Sequence, residues 1–132
     1  MRPGPARGTT LTTRVTITGA MSDPVQGAEQ DALPRVYGVL ATANHVAAVC
    51  RELIAPHLEP GELAVPVRLE VVRRSTVPAG EEVELEATVQ MISPSGVTCE
   101  VLVRWRDQVV VRASLEQEVV SGDTLRARAT GA

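Results

Sequence analysis

The chain has no phenylalanine, one tyrosine (Tyr37) and one tryptophan (Trp105). A core without aromatic bulk must be filled by Val, Leu and Ala. It packs only where elements approach closely, as small residues such as Ala41, Ala43, Ala47 and Ala48 allow. Lysine is also missing, so every basic side chain apart from the two histidines is arginine. This reads first as coding bias and second as a preference for bidentate anion contacts. The formal net charge of -3 lacks the basic excess that a general nucleic-acid binder needs. Cysteine is limited to Cys50 and Cys99, neither at metal-ligand spacing, and buried reduced thiols are the first reading. The opening residues MRPGPARGTTLTT carry no apolar run, which argues against a signal peptide or a membrane span. A cytoplasmic location is the expectation.

What is present fits one domain: 132 residues with 44% hydrophobic content are enough for a real core and too few for two ordinary ones. Residues 1–8, with two Pro and two Gly, are expected to be disordered, residues 9–120 to form the domain, and residues 121–132 to be a loose tail. Thr9 to Thr18 reads as a first strand. From Pro34 to Ile54, Val36, Val39, Leu40, Ala43, Val46, Ala47, Cys50, Leu53 and Ile54 recur at three- and four-residue steps. That spacing gives a helix one broad apolar face, and Pro56 ends it.

From Ala64 the period changes to two. Val67, Leu69, Val71 and Arg73 share one face of a strand, with Arg68, Glu70 and Arg74 on the other. After Pro78-Ala79-Gly80, Val83, Leu85, Ala87, Val89 and Met91 alternate with Glu82, Glu84, Glu86, Thr88 and Gln90; Pro94-Ser95-Gly96 marks a hairpin. Val97, Cys99, Val101, Val103 and Trp105 then face inward, and a last strand runs from about Val109 to Val120. The Glu row set against Arg104, Arg106 and Arg112 reads as solvated cross-strand pairing. Such alternation means an antiparallel sheet covered on one side. The order βαββββ, with one long helix packed against a five-stranded antiparallel sheet, is an α+β outline: the hotdog fold. One helix cannot protect both edges of such a sheet, so a homodimer, or a tetramer built from it, is expected.

Within the helix, VLATANHVAAVCREL (Val39 to Leu53) resembles the hotdog thioesterase family typified by fluoroacetyl-CoA thioesterase, and APHLEPGE (Ala55 to Glu62) and STVPAGEEVE (Ser75 to Glu84) resemble its helix-ending loop and following turn. The likeness runs over roughly residues 10 to 120. In that family a VLAT-type stretch carries a catalytic Thr, a Glu follows eight positions later, and a His lies on the next strand. Set by VLAT, the resemblance puts the Thr at Thr42 and the Glu at Cys50; set from the Ala55-Pro56 loop, it puts them at Val39 and Ala47. The His falls at Arg73 or within one residue, and the family's Gly on that strand at Pro66. On either register the Glu and His are replaced.

The resemblance therefore implies an acyl-thioester hydrolase acting on a small acyl-CoA or carrier-bound acyl group through a non-standard site. It needs no cofactor beyond the coenzyme A of the substrate. His45, three positions from Thr42, neighbours it on the helix surface and is placed to accept a proton from it or from a water. A histidine hydrogen-bonded at a subunit contact is the plainer explanation. Cys50 is a nucleophile only if Arg73 lowers its pKa; otherwise it is a space-filling thiol. Arg73, on an inward face, either binds a carboxylate, phosphate or thioester oxygen or is turned to solvent by a bulge. Arg74 faces outward, where coenzyme A phosphates are a candidate partner. Val39 and Asn44 belong to the same mouth, while His57 marks a turn. With no Phe there is no aromatic gate for fluoroacetate, and an aliphatic lining suits a short or branched acyl chain. A hotdog protein that binds an acyl thioester without hydrolysing it is the second reading. A dehydratase ranks last, because Glu52 is the only carboxylate on the helix.

Overall fold

The computed structural model describes Met1, residues 6–25, Gly27 and residues 33–131. Much of the segment expected to be disordered, residues 2–5, and Ala132 of the expected tail lie outside the described residues. The elements in chain order are β1 (Thr10–Thr16), β2 (Ser22–Asp23), β3 (Val36–Tyr37), α1 (Val39–Ile54), β4 (Glu62–Arg73), β5 (Glu82–Ser93), β6 (Gly96–Trp105), β7 (Gln108–Ser121) and α2 (Gly122–Ala129).

The long helix starts later than its apolar spacing suggests. Val36 and Tyr37 are extended and pair with β2, Ser22 opposite Tyr37 and Asp23 opposite Val36. The reason is tertiary: the Tyr37 amide donates to Val77 O at 2.7 Å and the Gly38 amide to Met21 O at 2.9 Å, so both groups are satisfied before a helix is needed. Gly38 is the N-cap and offers no side chain to cap the first turn. At the far end Pro56 follows Ala55, and the chain tightens into a 3₁₀ turn over Ala55–His57.

Five strands form one antiparallel sheet in the order β1-β5-β6-β7-β4, with α1 across one face. Val46, Val49, Cys50, Leu53 and Ile54 of α1 are buried against Val83, Leu85, Ala87 and Val89 of β5, Cys99, Val101 and Val103 of β6, and Val111, Ala113 and Leu115 of β7. Each such aliphatic side chain contributes about 1.5–3 kcal/mol by leaving water. Compact residues suffice because α1 lies close to the sheet.

Three register slips interrupt the sheet, one of them between Val103 and Arg104 where β6 meets β7. Between Val89 and Met91 the register slips, so Met91 pairs with Thr98 on the outer face and is 63% exposed, not inward as alternation implies. Between Pro66 and Arg68 a further slip turns Val67 out, while Leu69, Val71 and Arg73 stay opposite Leu115, Ala113 and Val111 on the α1 side. Pro66 is tolerated because β4 is an edge strand. On the outer face Arg104 pairs with Glu86 at 3.5 Å, Arg112 with Glu100 at 3.6 Å, and Arg14 with Glu82 at 3.3 Å. Arg106 instead lies 4.6 Å over the Trp105 ring and meets Glu81 at 2.7 Å. Beyond β7 the chain is helical rather than loose: the Ser121 hydroxyl accepts from the Thr124 amide at 3.0 Å and caps α2. Among the described residues no helix is long and apolar enough to cross a membrane.

Candidate functional site at the start of α1

Tyr37, the last residue of β3, is 2% exposed, and its ring turns under the first turns of α1. The phenol hydrogen-bonds to His45 Nδ1, in the second turn of the helix, and the two ring centroids are 5.6 Å apart. Thr42 is near enough to the same phenol to lower its pKa. Its hydroxyl donates to Gly38 O at 2.7 Å, a backward bond that fixes the side chain within the first turn. From β4 the Arg73 guanidinium donates to the carbonyl oxygen of Tyr37. Thr42, His45 and Arg73, three residues singled out in the sequence, therefore converge on a fourth that was not. The available signal was weak: Tyr37 is the only tyrosine of a chain poor in aromatics, two residues before Val39.

Burial pushes the Tyr37 phenol up to about 12, an effect partly offset by Thr42 and by the positive charge of Arg73. The phenol is thus a neutral hydrogen-bond donor at any ordinary pH. Burial lowers the His45 pKa, which favours the neutral imidazole. Arg73 does not stand as an unpaired charge on the inward face, because a backbone carbonyl accepts from it.

Cys50 sits where the space-filling alternative puts it. Its thiol is fully buried in the core, and the neighbouring thiol of Cys99 on β6 together with burial pushes its pKa far up. Such a thiol is inert, and Arg73, committed to Tyr37, does not activate it. Arg74 also stays apart. It lines an outer-face cleft of about 360 Å³ with Glu70, Gln90, Glu100 and Arg112, across the sheet from α1. Val39 (48% exposed) and Asn44 are exposed on α1 beside the cluster.

A further residue reaches the helix start. The carboxylate of Asp23 in β2 lies so close to Gly38 that a side-chain carbon there would sit 2.6 Å from Asp23 Oδ2. Glycine at position 38 lets the Asp23 side chain rest against the backbone, which leaves an exposed carboxylate beside the amides of the first turn. Among the described residues no group of His, Cys, Asp and Glu is arranged to hold a metal ion. The surface over His45 is open, with Leu40 76% exposed and Val39 half exposed next to it.

Comparison with known proteins gives a consistent picture. The family described as fluoroacetyl-CoA-specific thioesterase matches residues 20–123. No curated protein sequence matches the chain. Among solved structures, a Thermus thermophilus hypothetical protein described as a thioesterase superfamily member is 22% identical, with a TM-score of 0.81 over 96% of this chain and 91% of its own. A hot-dog-like protein from Thermanaerovibrio acidaminovorans is 20% identical, with a TM-score of 0.83 over 95% and 90%. The fluoroacetyl-CoA thioesterase is 18% identical, with a TM-score of 0.80 over 98% of each chain. At these identities the likeness establishes the hotdog fold.

Proposed function

The chain belongs to the fluoroacetyl-CoA-specific thioesterase family, and from that premise we propose that it is an acyl-thioester hydrolase acting on a small aliphatic acyl-CoA or carrier-bound acyl group. The observation that carries this reading is the gathering of Thr42, His45 and Arg73 around Tyr37 at the N-terminal end of α1. Hydrolysis of a thioester needs donors where the carbonyl oxygen becomes negative, and a base for the attacking water. The first-turn amides of α1 and the His45 imidazole supply donors. Asp23, at the same helix end, is the carboxylate that takes the proton from water. Thr42 holds the first turn in shape through Gly38. Val39 and Leu40 are exposed apolar side chains beside the cluster and suit an aliphatic acyl group. Asn44 is exposed on the same helix and completes the mouth.

The active form in this proposal is a homodimer. Leu63, Val67, Leu69 and Val72 on the edge strand β4 are each more than 40% exposed, which is a costly state for an unpaired strand. Pairing β4 with its copy would cover them and wall the open surface over His45.

Release of free thiol from a panel of acyl-CoA esters tests the assignment, with Asp23→Asn, Thr42→Ala, His45→Ala and Arg73→Ala alongside. Cleavage that survives the Asp23 and His45 changes would place the chemistry elsewhere. The second reading, a protein that binds an acyl thioester without cleaving it, is favoured by the inert Cys50, which occupies the position of the family's Glu on one register. It wins if no ester is cleaved while one raises the melting temperature.

A further inference from the structure

We infer that Tyr37 is a positioning residue that sets the tautomer of His45, by donating its phenolic proton to Nδ1 so that the neutral imidazole carries its own proton on Nε2. The functional consequence rests on the hydrolase reading above: an Nε2–H presents a donor to the thioester oxygen, whereas a bare Nε2 would present a base.

Counting protons leads there. The Gly38 carbonyl can only accept, so the Thr42 hydroxyl, 2.7 Å from it, has spent its one proton. Thr42 therefore has no proton to give to Tyr37. The buried phenol holds one proton, and the acceptor within hydrogen-bond reach of it is His45 Nδ1. Imidazole nitrogen is a strong acceptor of a phenolic proton, and the contact to it is direct. In the opposite arrangement His45 would have to donate from Nδ1 into the phenol, a poorer acceptor, and Nε2 would be bare.

The geometry also limits escape from this arrangement. Tyr37 is held at both backbone atoms, its amide by Val77 O at 2.7 Å and its carbonyl by Arg73. His45 is fixed in the second turn of α1. Burial of the imidazole disfavours its positively charged form. The hydrogen bond made by one ring nitrogen determines which of the two is the donor.

The test is long-range proton–nitrogen correlation spectroscopy on protein labelled with nitrogen-15 histidine, at neutral pH and without substrate. The chain has two histidines, so His45→Gln assigns the His45 signals by their loss. The expected spectrum has His45 Nδ1 as the unprotonated nitrogen and Nε2 as the protonated one. Tyr37→Phe, which keeps the ring and removes the donor, should collapse this to the averaged tautomer pattern of an unconstrained histidine. If a thioester is cleaved, the same variant should lower kcat about 10-fold or more with a smaller change in KM, against about 10²- to 10³-fold for a donor removed outright. A wild-type His45 protonated on Nδ1, or doubly protonated, overturns the inference. So does a Tyr37→Phe protein that folds and keeps the wild-type pattern. Should Tyr37→Phe fail to fold, the wild-type spectrum alone decides. The outcomes separate from the hydrolase reading: the expected tautomer without any cleavage removes that reading and leaves this one, and cleavage with the opposite tautomer does the reverse.

Discussion

The two halves of α1 lie across the same sheet and do opposite work. Its first half holds Thr42 and His45 against Tyr37, with Asp23 at the end and the guanidinium of Arg73 close by. Its second half buries Val49, Cys50, Leu53 and Ile54, and the polar contact there is the Cys50–Cys99 thiol pair. Both halves contain a residue of nucleophilic or basic type, yet only the first offers one that is partly open to solvent. A reactive side-chain type is not a site; exposure and hydrogen-bond partners make it one.

The sharpest way to break this contrast is to damage each half and ask whether the effects cross over. Ile54→Ala, in the dry half, should cost about 2–5 kcal/mol in chemical denaturation through lost transfer energy and a cavity, with turnover per folded molecule unchanged. His45→Ala, in the polar half, should lower kcat about 10²- to 10³-fold, roughly 2.7–4 kcal/mol of transition-state stabilisation, and cost only about 1–3 kcal/mol of stability through the Tyr37 phenol left without its partner. If the two variants lose stability and activity in parallel, the halves are not distinct.

A pH series sharpens the same comparison. The Tyr37 pKa is raised by folding from its ordinary 10.0 to about 12. Its contribution to stability is therefore complete below pH 10 and lost as pH rises through 12, at about 1.4 kcal/mol per pH unit. Cys50, also pushed up, adds a loss of its own above the ordinary thiol range. The difference between wild type and Tyr37→Phe isolates the phenol: it should be flat below pH 10 and fall between 10 and 12. A difference that stays flat throughout would mean that the phenol is not buried as a neutral group.

The smallest effect belongs far from both halves. The turn between β6 and β7 places Arg106 at φ 52° and Asp107 at φ 63°, a left-handed conformation that residues with a Cβ adopt at a cost. Asp107→Gly should raise stability by about 1 kcal/mol, with the Arg106–Glu81 pair and activity retained. A change in turnover from this variant would show that the site is sensitive to the whole sheet rather than to the start of α1.

Several features were readable before any fold was known because they depend on neighbours three, four or two residues away. The apolar face of α1 and the inward rows of β5, β6 and β7 are of this kind, as is the placing of Arg73 with Leu69 and Val71. Errors arose where a single residue changed the count. The bulges after Val89 and Pro66 turned Met91 and Val67 outward, and neither has a local signature strong enough to read. Val36 and Tyr37 carry helical spacing, yet β2 and Val77 claim their backbone. Ser121 is a sound N-cap that composition alone did not reveal as the start of α2.

By itself the sequence determined that one helix with an apolar stripe covers one face of an antiparallel sheet, because hydrophobic periodicity is written in consecutive residues. It also placed Thr42 and His45 on one side of that helix, since three residues span nearly one turn. Only the tertiary structure decided that Cys50 faces Cys99 in the core, and that Tyr37, Asp23 and Arg73 meet at the helix start. Those residues come from five different elements, and contacts between elements distant in sequence leave no mark on its local pattern.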